Sequence, residues 1–293
     1  MVKSSLQNFC ACGPTGYNCF RHQGFPLPSS RALRRSLEGL KFNSGILDEV
    51  FDMMTVKVGQ MCKKESYCSV VLDEVSIRQS VEFAMRSGTV LGDATLPGHH
   101  GKARHAMVFM LAGSSTRWKQ VVAYYFTGKS VHGSALMPII LNIIRKAHNI
   151  GLHVVAVTSD MGSCNRAMWK SFGVQCSRFL PTVNKVAHPT VPGEYLYFVA
   201  DAPHVIKNPK AALVNGQQIT LPDWVVFKHA LPSNVVTVDH LHTLASYQEN
   251  LQLKLSPGLT TKILTPSHFD KMKASNALNV FSHANSAALE YLV

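Results

Sequence analysis

Two aspartates stand at the ends of apolar runs. Asp73 follows Val70-Val71-Leu72, and Asp160 closes the run Val154–Ser159 and leads through Met161-Gly162-Ser163 into a helical pattern. A carboxylate at the end of a buried strand is costly to desolvate unless a cation compensates it. If the two strands lay side by side, both carboxylates would meet one divalent ion or an ion pair, and that donor set suits hard Mg²⁺. Two-metal phosphoryl chemistry uses such a pair, one ion activating the attacking oxygen and the other stabilising the leaving one. Taken singly, each aspartate is equally a turn former or a helix N-cap. A further polar constellation, Asp201, His204, Lys207 and Asn208, directly follows the apolar run Tyr195–Ala200. It falls at the strand edge where α/β sites form, and its plain alternative is a capped turn into a helix.

Other chemistries fit less well. Thr127-Gly128-Lys129-Ser130 mimics the end of a phosphate-binding loop, but that motif needs glycine at position 123, where alanine stands. Cys10, Cys12, Cys19 and His22 offer four potential zinc ligands at gaps that match no common finger, so free thiols are expected. The 14 histidines include no His-Glu-x-x-His, and there is no Gly-x-Ser-x-Gly elbow for a nucleophilic serine.

The elements that would position the aspartates come from periodicity. Leu33, Leu37 and Leu40 predict a helix after Pro28, capped by Ser29 or Ser30, and a second helix is expected from Gly45 through Met61. Strands are expected at Tyr67–Ile77, Val81–Ala94, Ala103–Ala112, Gln120–Thr127, Leu152–Ser159 and Tyr195–Ala200. Ser134–Asn149 and Asn165–Phe172 read as helices, closed by Gly151 and Gly173. Antiparallel strands followed by strand–helix–strand alternation imply an α/β fold, a mixed sheet flanked by helices. After Asn208 prolines punctuate short segments, and a helical tail is expected from His268 to Val293.

Composition bounds the function. The 293 residues are 46% hydrophobic and only 16% charged, which argues for a globular chain. A net charge of +12 favours polyanions such as nucleic acid, or is simply a basic solvated surface. The seven cysteines form no disulfide framework, the opening residues lack a secretory apolar core, and no apolar stretch is long enough for a membrane helix. A soluble protein of a reducing, intracellular compartment, with no membrane partner, is expected.

Five stretches in order resemble the P-element transposases and their THAP-domain-containing relatives. They are Pro26–Arg35 with Gly45–Val50, Leu72–Ile77, Thr158–Asn165, Asp201–Asn208, and Lys271–Ala277 with Val280–Ser282. The resemblance implies an RNase H-like mixed sheet flanked by helices, with an N-terminal helical segment and a C-terminal helical insertion that binds GTP in the P-element branch. The organisation expected is a loose segment over 1–27, a helical segment over 28–64, an RNase H-like core over 65–208 and an insertion-like unit over 209–293. Asp73 and Asp160 would be two acids of a DDE-type nuclease and strand transferase that holds Mg²⁺. DNA, further copies of the chain or other transposase chains would be its partners, and the nucleus its site of action. The sequence also departs from the family. Cys19-x₂-His22 echoes only the last ligand pair of a THAP domain, Ala202 replaces a proline, and Pro209-Lys210 replaces an apolar residue and an arginine. The family's closing glutamate has no counterpart, since neither Glu249 nor Glu290 sits in the expected motif. A catalytically incomplete core is therefore expected. An active Mg²⁺-dependent nuclease and a non-enzymatic interaction module are the alternatives.

Overall fold

The structure, a computed structural model, describes residues 15–38, 42–85, 88–177, 180–267, 270–271 and 273–292. It divides into two compact units, Met1–Val199 and Ala200–Val293. No helix among the described residues is long and apolar enough to cross a membrane.

The first unit opens with a helix over residues 15–22 (α1), where a loose segment was expected. Tyr17 explains the order: its ring is buried and its hydroxyl donates to the Pro28 carbonyl at 2.9 Å. Cys10 and Cys12 lie outside the described residues, and Cys19 is a free, exposed thiol. Helix α2 (Ser30–Glu38) buries Leu33, and its first turn is capped by Ser29, whose hydroxyl accepts from the Ala32 N–H at 3.1 Å. The side chains of Leu37 and Leu40 lie outside the described residues.

The helix expected from Gly45 begins later. Gly45–Ile46 is a short strand (β1), and α3 spans Asp48–Val58. Gly45 adopts φ +134, which a helix cannot use, and β1 pairs antiparallel with residues Ala123 and Tyr124.

The remaining strands are β2 (Tyr67–Ser76), β3 (Glu82–Ala84), β4 (Thr89–Leu91), β5 (His105–Gly113), β6 (Lys119–Thr127), β7 (His153–Ser159), β8 (Lys185–Ala187) and β9 (Tyr195–Ala200). Six of them join β1 in one seven-stranded sheet in the order β1-β6-β5-β2-β7-β9-β8. β5 is antiparallel to both β2 and β6, whereas β2 and β7 run parallel, so the sheet is mixed as expected. The stretch Val81–Ala94 differs from its expectation as a sheet strand: β3 and β4 form a separate hairpin. Gly88 and Gly92 take left-handed φ of +66 and +140, and a Cβ at Gly92 would lie 2.6 Å from the Ser80 carbonyl oxygen.

One sheet face carries the core. Cys68, Val70 and Leu72 of β2 alternate into it beside Met107, Phe109 and Leu111 of β5 and Val154 and Val157 of β7. It is completed by α4 (Leu136–Asn149), which buries Leu136, Ile139, Ile140, Ile143, Ile144 and Ala147 at helical spacing. Pro138 is tolerated because it sits in the first turn, where its missing N–H had no intrahelical partner. Gly151 ends the helix with φ +92, donating to the His148 carbonyl at 2.9 Å. The short 3₁₀ turn Gly133–Ala135 then lies against α5 (Ser163–Ser171) so closely that a Cβ on Gly133 would fall 2.3 Å from the Cys164 carbonyl oxygen.

The second unit packs α6 (Ala202–Val214), α7 (Asp223–His229), α8 (Asp239–Glu249), α9 (Thr261–Leu264), α10 (Ala274–Val280) and α11 (His283–Leu292) with a small antiparallel pair, β10 (Ile219–Thr220) and β11 (Val235–Val236). Leu213, Leu241, Leu244, Leu259, Ile263 and Val280 are central to its core. The change of texture expected after Asn208 falls inside α6, which runs on through Pro209, and the two units part at Val199/Ala200.

Candidate active site on two parallel strands

The placement of Asp73 and Asp160 follows from sheet register. β2 and β7 are parallel neighbours, with Val70 opposite Val157 and Val71 opposite Thr158. Two residues beyond the last pair on each chain are Asp73, still inside β2 and opposite Val108, and Asp160, just past the end of β7. Apolar pairing on one face forces this register, because a slip of one residue would turn Leu72 and Val157 out of the core.

Each carboxylate is held by one oxygen. Asp73 Oδ1 accepts from the Glu74 N–H at 2.8 Å. Asp160 Oδ1 accepts from the Gly162 N–H at 2.9 Å and from Asn165 Nδ2 at 2.6 Å. The Oδ2 atom of each has no hydrogen-bond partner among the described residues. Asn165 is 7% exposed, and its own Oδ1 is a buried acceptor with no partner. Just below, Trp169 Nε1 donates to Ser159 Oγ at 3.1 Å, tying the end of β7 to α5.

Glu74 was not singled out by the sequence reading. Its Oε1 accepts from Thr127 Oγ1 at 2.9 Å and lies 3.7 Å from His105 Nδ1. Its charge and that of Asp160 both reach Cys164. Burial first, and then these two carboxylates, push the Cys164 thiol up to about 11. The signal available in the sequence was a second acid directly after Asp73, but strand alternation sends it to the other face, towards the core side.

A hard divalent ion fits the oxygens present. Open carboxylate oxygens are its preferred donors, and such ions commonly bind through one or two carboxylates while keeping several waters. No group of three or more His, Cys, Asp or Glu able to hold a metal occurs among the described residues.

The other constellation lies in the second unit. Asp201 occupies the N-cap position of α6, yet its carboxylate pairs with His204 Nδ1 and makes no side-chain cap bond. His204, Lys207 and Asn208 follow on one face of that helix, at the spacing of successive turns.

Comparison with known proteins bears on the whole arrangement. Residues 42–173 match the model of the TNP-like, RNase H N-terminal domain family, a stretch that contains both Asp73 and Asp160. The chain is 27% identical over 214 residues to the transposable element P transposase of Drosophila melanogaster, covering 71% of this chain and 26% of that protein. It is 22% identical over 277 residues to the DNA transposase THAP9 of Homo sapiens, covering 91% of this chain and 29% of that protein. This chain is similar in sequence to the P-element transposases. A solved structure, the Drosophila P element transposase strand transfer complex, superposes with a TM-score of 0.70 at 22% identity, over 99% of this chain and 58% of that one. The seven-stranded mixed sheet is thus an RNase H-like α/β fold. The chain spans well under a third of the length of the two relatives matched by sequence.

Proposed function

We propose that this chain is the RNase H-like core of a DDE-type DNA transposase, in which Asp73 and Asp160 hold a divalent ion, Mg²⁺ by preference, against a DNA phosphodiester. The observation that supports the proposal is the parallel β2–β7 register, whose last pair, Val71 and Thr158, lies two residues before each acid. A divalent ion bound there would supply Lewis acidity for in-line displacement at phosphorus. The chain's own contribution is positional. Gly162 and Asn165 fix Asp160 by Oδ1 and the Glu74 N–H fixes Asp73, which leaves one oxygen of each acid open. Neither Glu249 nor Glu290 sits in the motif of the family's closing glutamate, and on that ground the core is read as binding metal and nucleic acid without cleaving efficiently. A nuclear site of action, self-association and a GTP-binding role for the second unit follow from the resemblance to the P-element branch.

Mn²⁺ titration with supercoiled-plasmid nicking tests this. Wild-type chain should bind Mn²⁺ weakly, Asp73→Asn or Asp160→Asn should weaken that binding about 10-fold or more, and nicking should be absent in all three. Nicking by the wild type that both substitutions abolish would show a complete enzyme. Binding unaffected by either substitution would remove the proposed site.

A further inference from the structure

At the sheet edge beyond Asp73, the segments carrying Gln79, Gly98–Arg104 and Gly128–His132 wall a cavity of about 560 Å³. Its lining contains Lys102, Arg104, Lys129 and three histidines, and no acidic residue. The Thr127–Ser130 run, which fails as a phosphate-binding loop, supplies one wall. Some of this charge is already engaged. Lys102 Nζ pairs with Asp93 Oδ1 at 2.8 Å, and His99 Nε2 accepts from the His132 N–H at 3.1 Å, which ties that ring to the opposite wall. Arg104, Lys129 and His100 have no side-chain partner among the described residues.

Cations gathered around one cavity without counter-charges repel one another, and an anion relieves the repulsion. The walls are firmly held. The Arg104 N–H donates to the Thr127 carbonyl at 2.8 Å, its carbonyl accepts from the Ile77 N–H at 2.9 Å, and the Ala94 N–H donates to the Gly101 carbonyl at 2.7 Å. Register places the cavity relative to the acids. Ser76 lies opposite His105 and Asp73 opposite Val108, so the lining residue Arg104, next to His105, comes just past the point three residues along β2 from Asp73. That is about 10 Å at the rise of an extended strand, roughly three nucleotides of one DNA strand at about 3.4 Å each.

We infer that this cavity is a phosphate subsite for the DNA backbone, with Arg104 and Lys129 as its anion contacts, and that it holds the strand a few nucleotides from the phosphodiester at Asp73 and Asp160. The inference rests on the reading of the acid pair as facing DNA, and it can fail separately from that reading.

The test is fluorescence anisotropy of a labelled DNA duplex with the full chain in EDTA, across a range of salt, so that metal occupancy does not enter. Arg104→Glu/Lys129→Glu should weaken binding at least about 10-fold and lower the salt slope by about 1–2, the value for one or two phosphate contacts. Arg117→Glu/Lys119→Glu makes the same charge change at the opposite end of β6 and should shift affinity less, with the slope unchanged. Arg104→Ala/Lys129→Ala, checked by circular dichroism, guards against misfolding of the reversed pair and should show the same order of effects. Equal losses in the two reversed pairs, no loss in either, or no binding by the wild type would overturn the subsite. So would a cavity that takes free inorganic phosphate in a manner dependent on Arg104 and Lys129 while duplex affinity is the same in variant and wild type. The Mn²⁺ titration of the acid pair is independent of all these outcomes.

Discussion

Cys164 reports on its acidic neighbours. Its thiol is raised to about 11, by burial and then by Glu74 and Asp160, and Cys68 is raised to about 12 by burial alone. Thiolate is the reactive form, so at pH 8 iodoacetamide should modify the exposed Cys19, Cys62 and Cys176 well before Cys164 or Cys68. Removing a like charge lowers a thiol's value, so Glu74→Gln or Asp160→Asn should speed alkylation of Cys164 and leave Cys68 unchanged. Mass spectrometry of a time course checks this, and equal rates at Cys164 in wild type and variants would place the carboxylates elsewhere. Residues of this kind are only partly legible in sequence. Asp73 and Asp160 could be singled out because each terminates a recognisable apolar run. The grip of Asn165 on Asp160 and of Thr127 on Glu74 could not, since the second pair is 53 residues apart and meets only once the sheet forms.

At the scale of elements, close approach sets the sharpest constraints. Gly133→Ala would drive a methyl into the Cys164 carbonyl and the Met168 N–H of α5. The helix or the 3₁₀ turn must then shift, at a cost of about 1–3 kcal/mol. Because α5 carries Asn165, the same substitution should also weaken Mn²⁺ binding. A lowered denaturation midpoint with unaltered metal affinity would separate α5 from the site. In the second unit, buried Gln248, Ser256 and Asn285 form a connected polar network. Asn285 Nδ2 donates to the Asn279 and Val280 carbonyls at 2.8 Å, and Gln248 Nε2 to the Ser256 and Leu259 carbonyls. Asn285→Ala would leave buried acceptors unpaired, so urea titration should show a loss of about 1–3 kcal/mol, whereas a neutral outcome would mean water reaches the network. Long elements were legible: β2, β5, β6, β7, β9 and α4 lie close to where periodicity put them. Two of the misses were at glycines. Gly45 diverted an expected helix start into a strand, and Gly88 with Gly92 folded an expected strand into a hairpin, because a left-handed φ is invisible to an apolar pattern.

On the scale of the whole molecule, part of the +12 charge gathers at one cavity of the first unit, lined by Lys102, Arg104 and Lys129, of which Lys102 pairs with Asp93. The charge alone suggested a polyanion. Where that polyanion would sit came only from the fold, which brings residues 79, 98–104 and 128–132 around one space. The alternation of strands and helices made a mixed sheet legible and the resemblance of the ordered motifs implied its RNase H-like form, while the division at Val199/Ala200 was obscured by Pro209, which α6 accommodates inside its span. The account depends most on a cation shared between Asp73 and Asp160. The direct measurement is anomalous diffraction from a crystal of the full chain soaked in Mn²⁺. The account predicts a peak within about 2–2.5 Å of an oxygen from each aspartate. Density bound by one of them alone, or none at saturating Mn²⁺, would contradict it.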